Sequence, residues 1–260
     1  MTYAAHLITC SLGLLVGMLL LMEAGRRLGV HRAGKDPERA KVAVGPIDGA
    51  VFALLGLLMA FTFSGAASRF DARRQLIVEE ANDIGTAYLR LDLLPATAQP
   101  ELRVAFRQYV DSRLAVYREF PDLAVVEREL GENARLQKVI WRKSVEACNA
   151  QASPAATSLL LSALNAMIDI TTTRTMMARL HPPAIIGVLL FGISLASALL
   201  AGYTMGTSSK SRSVLHMLAF AAVTSLAVYV ILDLEFPRLG LIQVRDFDKA
   251  LVDVRASMSD

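Results

Sequence analysis

Cysteine is nearly missing from these 260 residues. Cys10 and Cys148 are the only two, and neither stands in a metal-ligand spacing or beside a second thiol, which removes disulfide scaffolds and zinc modules from consideration. Aromatic residues make up 7% of the chain and form no interleaving with Lys and Arg that would line up a row of exposed rings. A stacking platform for single strands is therefore absent, and nucleic acid is not an expected partner despite a pI near 9.0. The four histidines, His6, His31, His181 and His216, are scattered, and none has a carboxylate at helical spacing. No paired-carboxylate site, nucleophile elbow or HExxH motif occurs, so neither an enzyme, a cofactor nor a bound metal is expected. The segment Gly29-Val30-His31-Arg32-Ala33-Gly34-Lys35 has the spacing of a phosphate-binding loop. It follows an apolar helix rather than a strand and is followed by Asp36-Pro37 rather than a hydroxyl residue, so the spacing is accidental. No period-two alternation of a strand appears either.

What the chain has in abundance is long apolar runs. Four of them cover about 4–22, 47–67, 183–203 and 214–232, in two pairs around a polar block, and each is long enough as a helix to cross a hydrocarbon layer of about 30 Å. Asp48 is the only carboxylate inside them. The first residues, Met1 to His6, lack the basic start of a secretory signal, so the first run reads as a retained membrane helix. Mean hydropathy is +0.43 although 20% of residues are charged, so the charge is segregated. Between Ser68 and Pro182 there are 15 Lys plus Arg and 14 Asp plus Glu, the balance of an ordinary helical domain.

Apolar spacing and proline punctuation divide that block into four helices. The first continues out of the second apolar run to Leu94-Pro95. Others fit 101–120, closed by Pro121, 123–147, broken by Ser153-Pro154, and 155–180, ended by His181-Pro182-Pro183. The run AATSLLLSALNAMIDI has too short a charge-free stretch for a fifth crossing and reads as a core helix. The expected fold is an all-α membrane protein. Its parts are a first transmembrane pair in 1–67 with a basic loop over 23–45, an extramembrane four-helix region over 68–182, a second pair in 183–232 and a tail over 233–260.

The second apolar run carries most of the chemistry. Gly45 and Pro46 start a helix and place Asp48 in its first turn, where a carboxylate offsets the positive helix end or stands at a pore mouth or membrane interface. Ala53, Leu57 and Phe61 recur every fourth residue. They form a packing face in a monomer and a hydrophobic constriction in a ring of subunits. Arg69, Arg73 and Arg74 follow at the far end, as headgroup anchors or as the other pore mouth. Gly13 with Gly17, and Gly56 with Ala60, offer small-residue faces for close helix association.

The stretch FTFSGAASRFDARRQLIVEEANDIGTAYLR, with LHPPA before the third apolar run and DLEFPRLGLIQV after the fourth, resembles the bacterial bestrophin-like domain family across nearly the whole chain. SRFDARR is more distantly similar to the segment after the pore helix of bestrophin ion channels. The resemblance implies a homopentamer whose second helix lines the axis, with a neck at Ala53, Leu57 and Phe61, and small inorganic ions as its cargo. Asp233 and Glu235 depart from the acidic calcium clasp of the animal channels, so no calcium site is carried over. Near the membrane the two sides hold eight basic residues each; the short loops favour a cytoplasmic first loop. The resemblance instead implies that the helical block and both termini are cytoplasmic in a bacterial inner membrane. Two functions stand at this stage: an oligomeric ion channel, and a membrane-anchored helical interaction protein that conducts nothing.

Overall fold

A computed structural model describes residues 3–35, 45–208 and 214–258. Those residues form eight α-helices and two 3₁₀ turns, with no strand among them. The helices are α1 (Tyr3–Lys35), α2 (Gly45–Leu89), α3 (Gln99–Arg118), α4 (Leu123–Gln151), α5 (Pro154–Arg179), α6 (Ala184–Ser208), α7 (Val214–Glu235) and α8 (Lys249–Ser257). Four stretches are long and apolar enough to cross a membrane, and they include the four runs found in the sequence. The chain divides into two compact units: 1–70 with 181–242, and 71–180 with 243–260.

In the first unit, α1 does not end with its apolar run. Residues 23–35, assigned to a basic loop from their charge, continue the helix for about three further turns. Charged side chains on a helix flank keep its backbone bonded while their ends reach water, so polarity did not mark the end of the helix. The rest of that loop, 36–44, and the short loop holding Lys210 and Arg212 lie outside the described residues. So do the last two residues of the tail.

Glycines join α1 to α6. A methyl group on Gly25 would lie 2.9 Å from the Tyr203 amide nitrogen, and one on Gly29 would lie 3.1 Å from Gly206 Cα. From the other side, a methyl on Gly202 would lie 2.6 Å from the Met22 carbonyl carbon, and one on Gly206 2.9 Å from the Val30 amide nitrogen. Two Gly-x-x-x-Gly patterns therefore interlock, and the residue numbers rise together, so the helices run in the same direction. The small-residue faces expected at Gly13 and Gly56 meet nothing within 4 Å; Gly17 meets only a Leu195 methyl at 3.2 Å. Close approach is useful where lipid gives helices no hydrophobic reason to associate. Met18 and Met22 of α1, Ala198 of α6 and Ala221 and Val228 of α7 complete this core.

The second unit is a helical domain. Asp122 starts α4 by accepting the Ala124 and Val125 amides at 3.1 and 3.3 Å, and Ser153 starts α5 by accepting the Ala156 amide at 3.1 Å ahead of Pro154. Its core includes Ile84, Phe106, Tyr109, Ile140, Leu164 and Met167. Leu160, Leu164 and Met167 place the apolar face of α5 in that core. The C-terminal α8 docks on the same unit through buried Leu251 and a two-pronged Arg255–Asp111 pair at 2.8 and 3.1 Å.

Candidate functional site

Among the four apolar helices, α2 is the least covered by its own subunit: 11% of its apolar stretch is buried, against 22 to 33% in the others. At 100° per residue, Ala53, Leu57, Phe61, Ser64 and Ser68 share one flank, and all five are exposed. Phe61 is 69% exposed and Leu57 54%. In the second unit the same helix exposes Asp71, Gln75, Glu79, Asn82 and Thr86. In the first unit this flank thus changes from apolar to hydroxyl; in the second the exposed residues are amides, a hydroxyl and carboxylates, and none of these is Lys or Arg.

The three arginines expected at one end of the apolar run are each committed elsewhere. Arg69 Nε donates to both Glu235 carboxylate oxygens at 3.1 Å, and a second nitrogen of Arg69 also pairs with that carboxylate. Arg73 is buried and donates to the carbonyls of Met177 at 3.3 Å and Leu180 at 2.9 Å, at the C-terminal end of α5. Arg74 pairs with Asp71 at 2.9 Å and lies over the Phe247 ring at 4.3 Å. Arg69 and Arg73 do share a helix face, but it is the one opposite the exposed flank. Asp48 is buried rather than open, and its carboxylate accepts from the Thr204 hydroxyl of α6.

Three features were not found from sequence. Glu80 is fully buried in the second unit, where one oxygen accepts from Arg113 Nε at 2.6 Å and the other pairs with Arg174. The Arg174 guanidinium also lies 4.3 Å from the Tyr117 ring centre. Glu80 follows Glu79 in a charged stretch, and nothing local separates the buried carboxylate from the exposed one except helical phase. The second feature is Asp233. Its carboxylate accepts the Ile242 amide at 2.7 Å, the Leu241 amide at 3.0 Å and the Tyr229 hydroxyl at 3.2 Å. Gly240 is required there, because a side chain would overlap that carboxylate, reaching 2.6 Å from its carbon. DLEFPRLGLI is therefore a self-folded turn, with Glu235 left to hold Arg69. His181 adds a ring stacked 4.4 Å from Phe236. The third feature is the glycine clasp, whose Gly25 and Gly29 lie beyond the apolar run.

In the second unit, partial burial and, secondarily, the neighbouring Glu79 push the Asp83 carboxyl above its ordinary range. No group of three or more His, Cys, Asp or Glu able to hold a metal ion occurs among the described residues.

The family model described as Bestrophin-like domain matches residues 11–247, and the chain belongs to that family. Solved structures agree on the fold. A variant of the bacterial bestrophin homologue from Klebsiella pneumoniae matches with a TM-score of 0.66 at 14% identity, covering 93% of this chain and 99% of that one. A second variant of the same protein gives 0.69 at 14% identity, with 92% and 98% covered. A further structure of that homologue gives 0.64 at 15% identity, with 93% and 98% covered. No curated protein matches the chain.

Proposed function

We propose that this bestrophin-like chain assembles with identical copies into a ring, a pentamer by family resemblance, and passes small inorganic ions along an axis lined by α2. The observation that carries this reading is the flank of α2 that its own subunit leaves open. Ala53, Leu57 and Phe61 would then form the neck, where a narrow apolar stretch holds back water and ions until it is widened or wetted. Ser64 and Ser68 follow it, and Asp71, Gln75 and Glu79 give a polar continuation. Arg69 and Arg73 act as braces for that helix, on Glu235 and on the end of α5. Asp48, tied to Thr204, fixes the other end at the membrane interface. By the same resemblance, the helical unit and both termini lie in the cytoplasm and the apolar helices in a bacterial inner membrane.

The test has two steps. The mass of the detergent-solubilised complex should be a small integer multiple of 28.2 kDa greater than one. In liposomes, Phe61→Ala should raise ion flux relative to the parent protein at equal assembly. A monomer with α2 packed inside would support the alternative, a membrane-anchored interaction protein. An intact ring whose flux ignores Phe61→Ala would remove Phe61 from the constriction.

A further inference from the structure

The extension of α1 past its apolar run has no part in the conduction reading, and its chemistry is distinctive. The helix is about 50 Å long, well beyond the hydrocarbon thickness of about 30 Å. Its depth follows from the glycine clasp: Gly29 lies against Tyr203 and Gly206. The partner helix α6 contains no charged residue from Ala184 to Ser208. Arg26 and Arg27 are therefore level with the last turns of an uncharged membrane helix, and Arg32 and Lys35 lie beyond them. From Arg27 to Lys35 the rise is about 12 Å, enough to traverse one headgroup layer.

The orientation is equally defined. Gly25 and Gly29 face α6, so the opposite flank faces away from the subunit. Val16 and Leu20 on that flank are 53% and 67% exposed, and the flank continues through Ala24, Arg27, His31 and Lys35, all exposed. Leu28, also exposed, lies beside it. One carboxylate, Glu23, stands among four permanent cations and is shared by Arg26 at 3.0 Å and Arg27 at 2.9 Å. Residues 23–35 thus carry three net positive charges. Compensation of the helix dipole would account for Arg32 and Lys35 in the last turn, but the effect falls off before Arg26 and Arg27.

We propose that this flank is a binding surface for an anionic glycerophospholipid. Its phosphate engages Arg27 and Lys35, and its acyl chains lie along Val16, Leu20 and Leu28. Charge complementarity names the headgroup, and the apolar stripe that leads straight into the cations names a lipid rather than a soluble anion. The glycine clasp holds the surface at the correct depth, because it fixes the helix against an uncharged neighbour just where the charges begin.

The probe is phosphatidylglycerol in competition with phosphatidylcholine, counted on the purified full-length protein by native mass spectrometry. The parent protein should retain phosphatidylglycerol about five- to tenfold over phosphatidylcholine. Combined Arg27→Gln and Lys35→Gln should bring the two lipids to within about twofold. Glu23→Gln frees Arg26 and Arg27 from their carboxylate and should strengthen the preference. Millimolar inorganic phosphate should leave the count of bound lipid unchanged. The proposal is overturned if the parent shows no preference or if the double variant keeps it. It also falls if Glu23→Gln leaves the preference equal or weaker, or if free phosphate displaces the lipid, which would make the ligand a soluble anion.

Discussion

Gly202→Ala tests the packing on which the first unit depends. A methyl group at this position would come within 2.6 Å of the Met22 carbonyl carbon, where ordinary carbon contacts lie at about 3.5–4.0 Å. The obstacle is backbone, so no rotamer change relieves it. Helices α1 and α6 must separate by about 1 Å, which loosens the neighbouring contacts at Gly25, Gly29 and Gly206 together. Overpacking of this kind costs about 1–3 kcal/mol, and the better helix propensity of alanine returns at most about 1 kcal/mol. A net loss of about 1–2 kcal/mol should lower the midpoint of thermal unfolding by about 2–8 °C for a chain of this size. The measurement is a melt of purified protein in detergent, read by size-exclusion recovery. Gly13→Ala is the control, because its methyl meets nothing within 4 Å and should be neutral or slightly stabilising. A double variant, Gly25→Ala with Gly202→Ala, should cost less than the two singles combined, since one separation accommodates both methyls. If Gly202→Ala melts at or above Gly13→Ala, the interlocking is wrong.

Two more outcomes concern the second unit. Glu80→Gln leaves Arg113 and Arg174 buried without their shared carboxylate and should destabilise this unit by about 3–5 kcal/mol, seen as an early transition in Trp141 fluorescence on heating or in urea. Asp83 carries a pH signature with the opposite sign to an ion-paired carboxylate. Its folded pKa is raised, so the folded state binds the proton more tightly than the unfolded chain, and the contribution of Asp83 to stability falls as pH rises through that window. Asp83→Asn should therefore raise the melting midpoint at neutral pH, and the gain should vanish below about pH 4, where the carboxyl is protonated in both states. A gain that persists at pH 3 would place its origin outside the ionisation of Asp83.

The fold was legible because its signals are local. An apolar run either spans a bilayer or does not, and Pro95, Pro121, Pro154 and the Pro182-Pro183 pair end helices wherever they occur. Asp122 and Ser153 start α4 and α5 as their side chains dictate. The extent of α1 was not legible, because the helix beyond the apolar run is polar, as a loop is. The clasp shows the same limit of local reading: Gly13 and Gly17 sit inside the first apolar run and have the spacing of a packing motif, yet Gly25 and Gly29 make the close approach. Which glycine meets a neighbouring backbone depends on the depth at which two helices cross, and that depends on α6, some 170 residues later. Likewise Glu79 and Glu80 are adjacent and alike, and only the position of Arg113 and Arg174 decides that the second is buried.

The arginines of SRFDARR connect these levels to function. Read alone, three cations at the end of an apolar helix suggest an electropositive mouth. Each is instead held by a specific acceptor: a carboxylate for Arg69, main-chain carbonyls for Arg73, and Asp71 with an aromatic face for Arg74. Charge used in this way fixes the roll of α2 about its own axis, because Arg69 and Arg73 lie on the side opposite Ala53, Leu57 and Phe61. A helix with 69% of Phe61 exposed must be covered by lipid or by another copy. Lipid does not suit the polar Ser64 and Ser68 on the same flank, since hydroxyls facing hydrocarbon lose their water partners. The proposed ring suits both: in it the apolar residues would narrow the path and the hydroxyls would keep it wet. In the proposed ring the braces and the open flank would be two aspects of one arrangement, in which Arg69 and Arg73 hold the helix with its exposed side turned toward the shared axis.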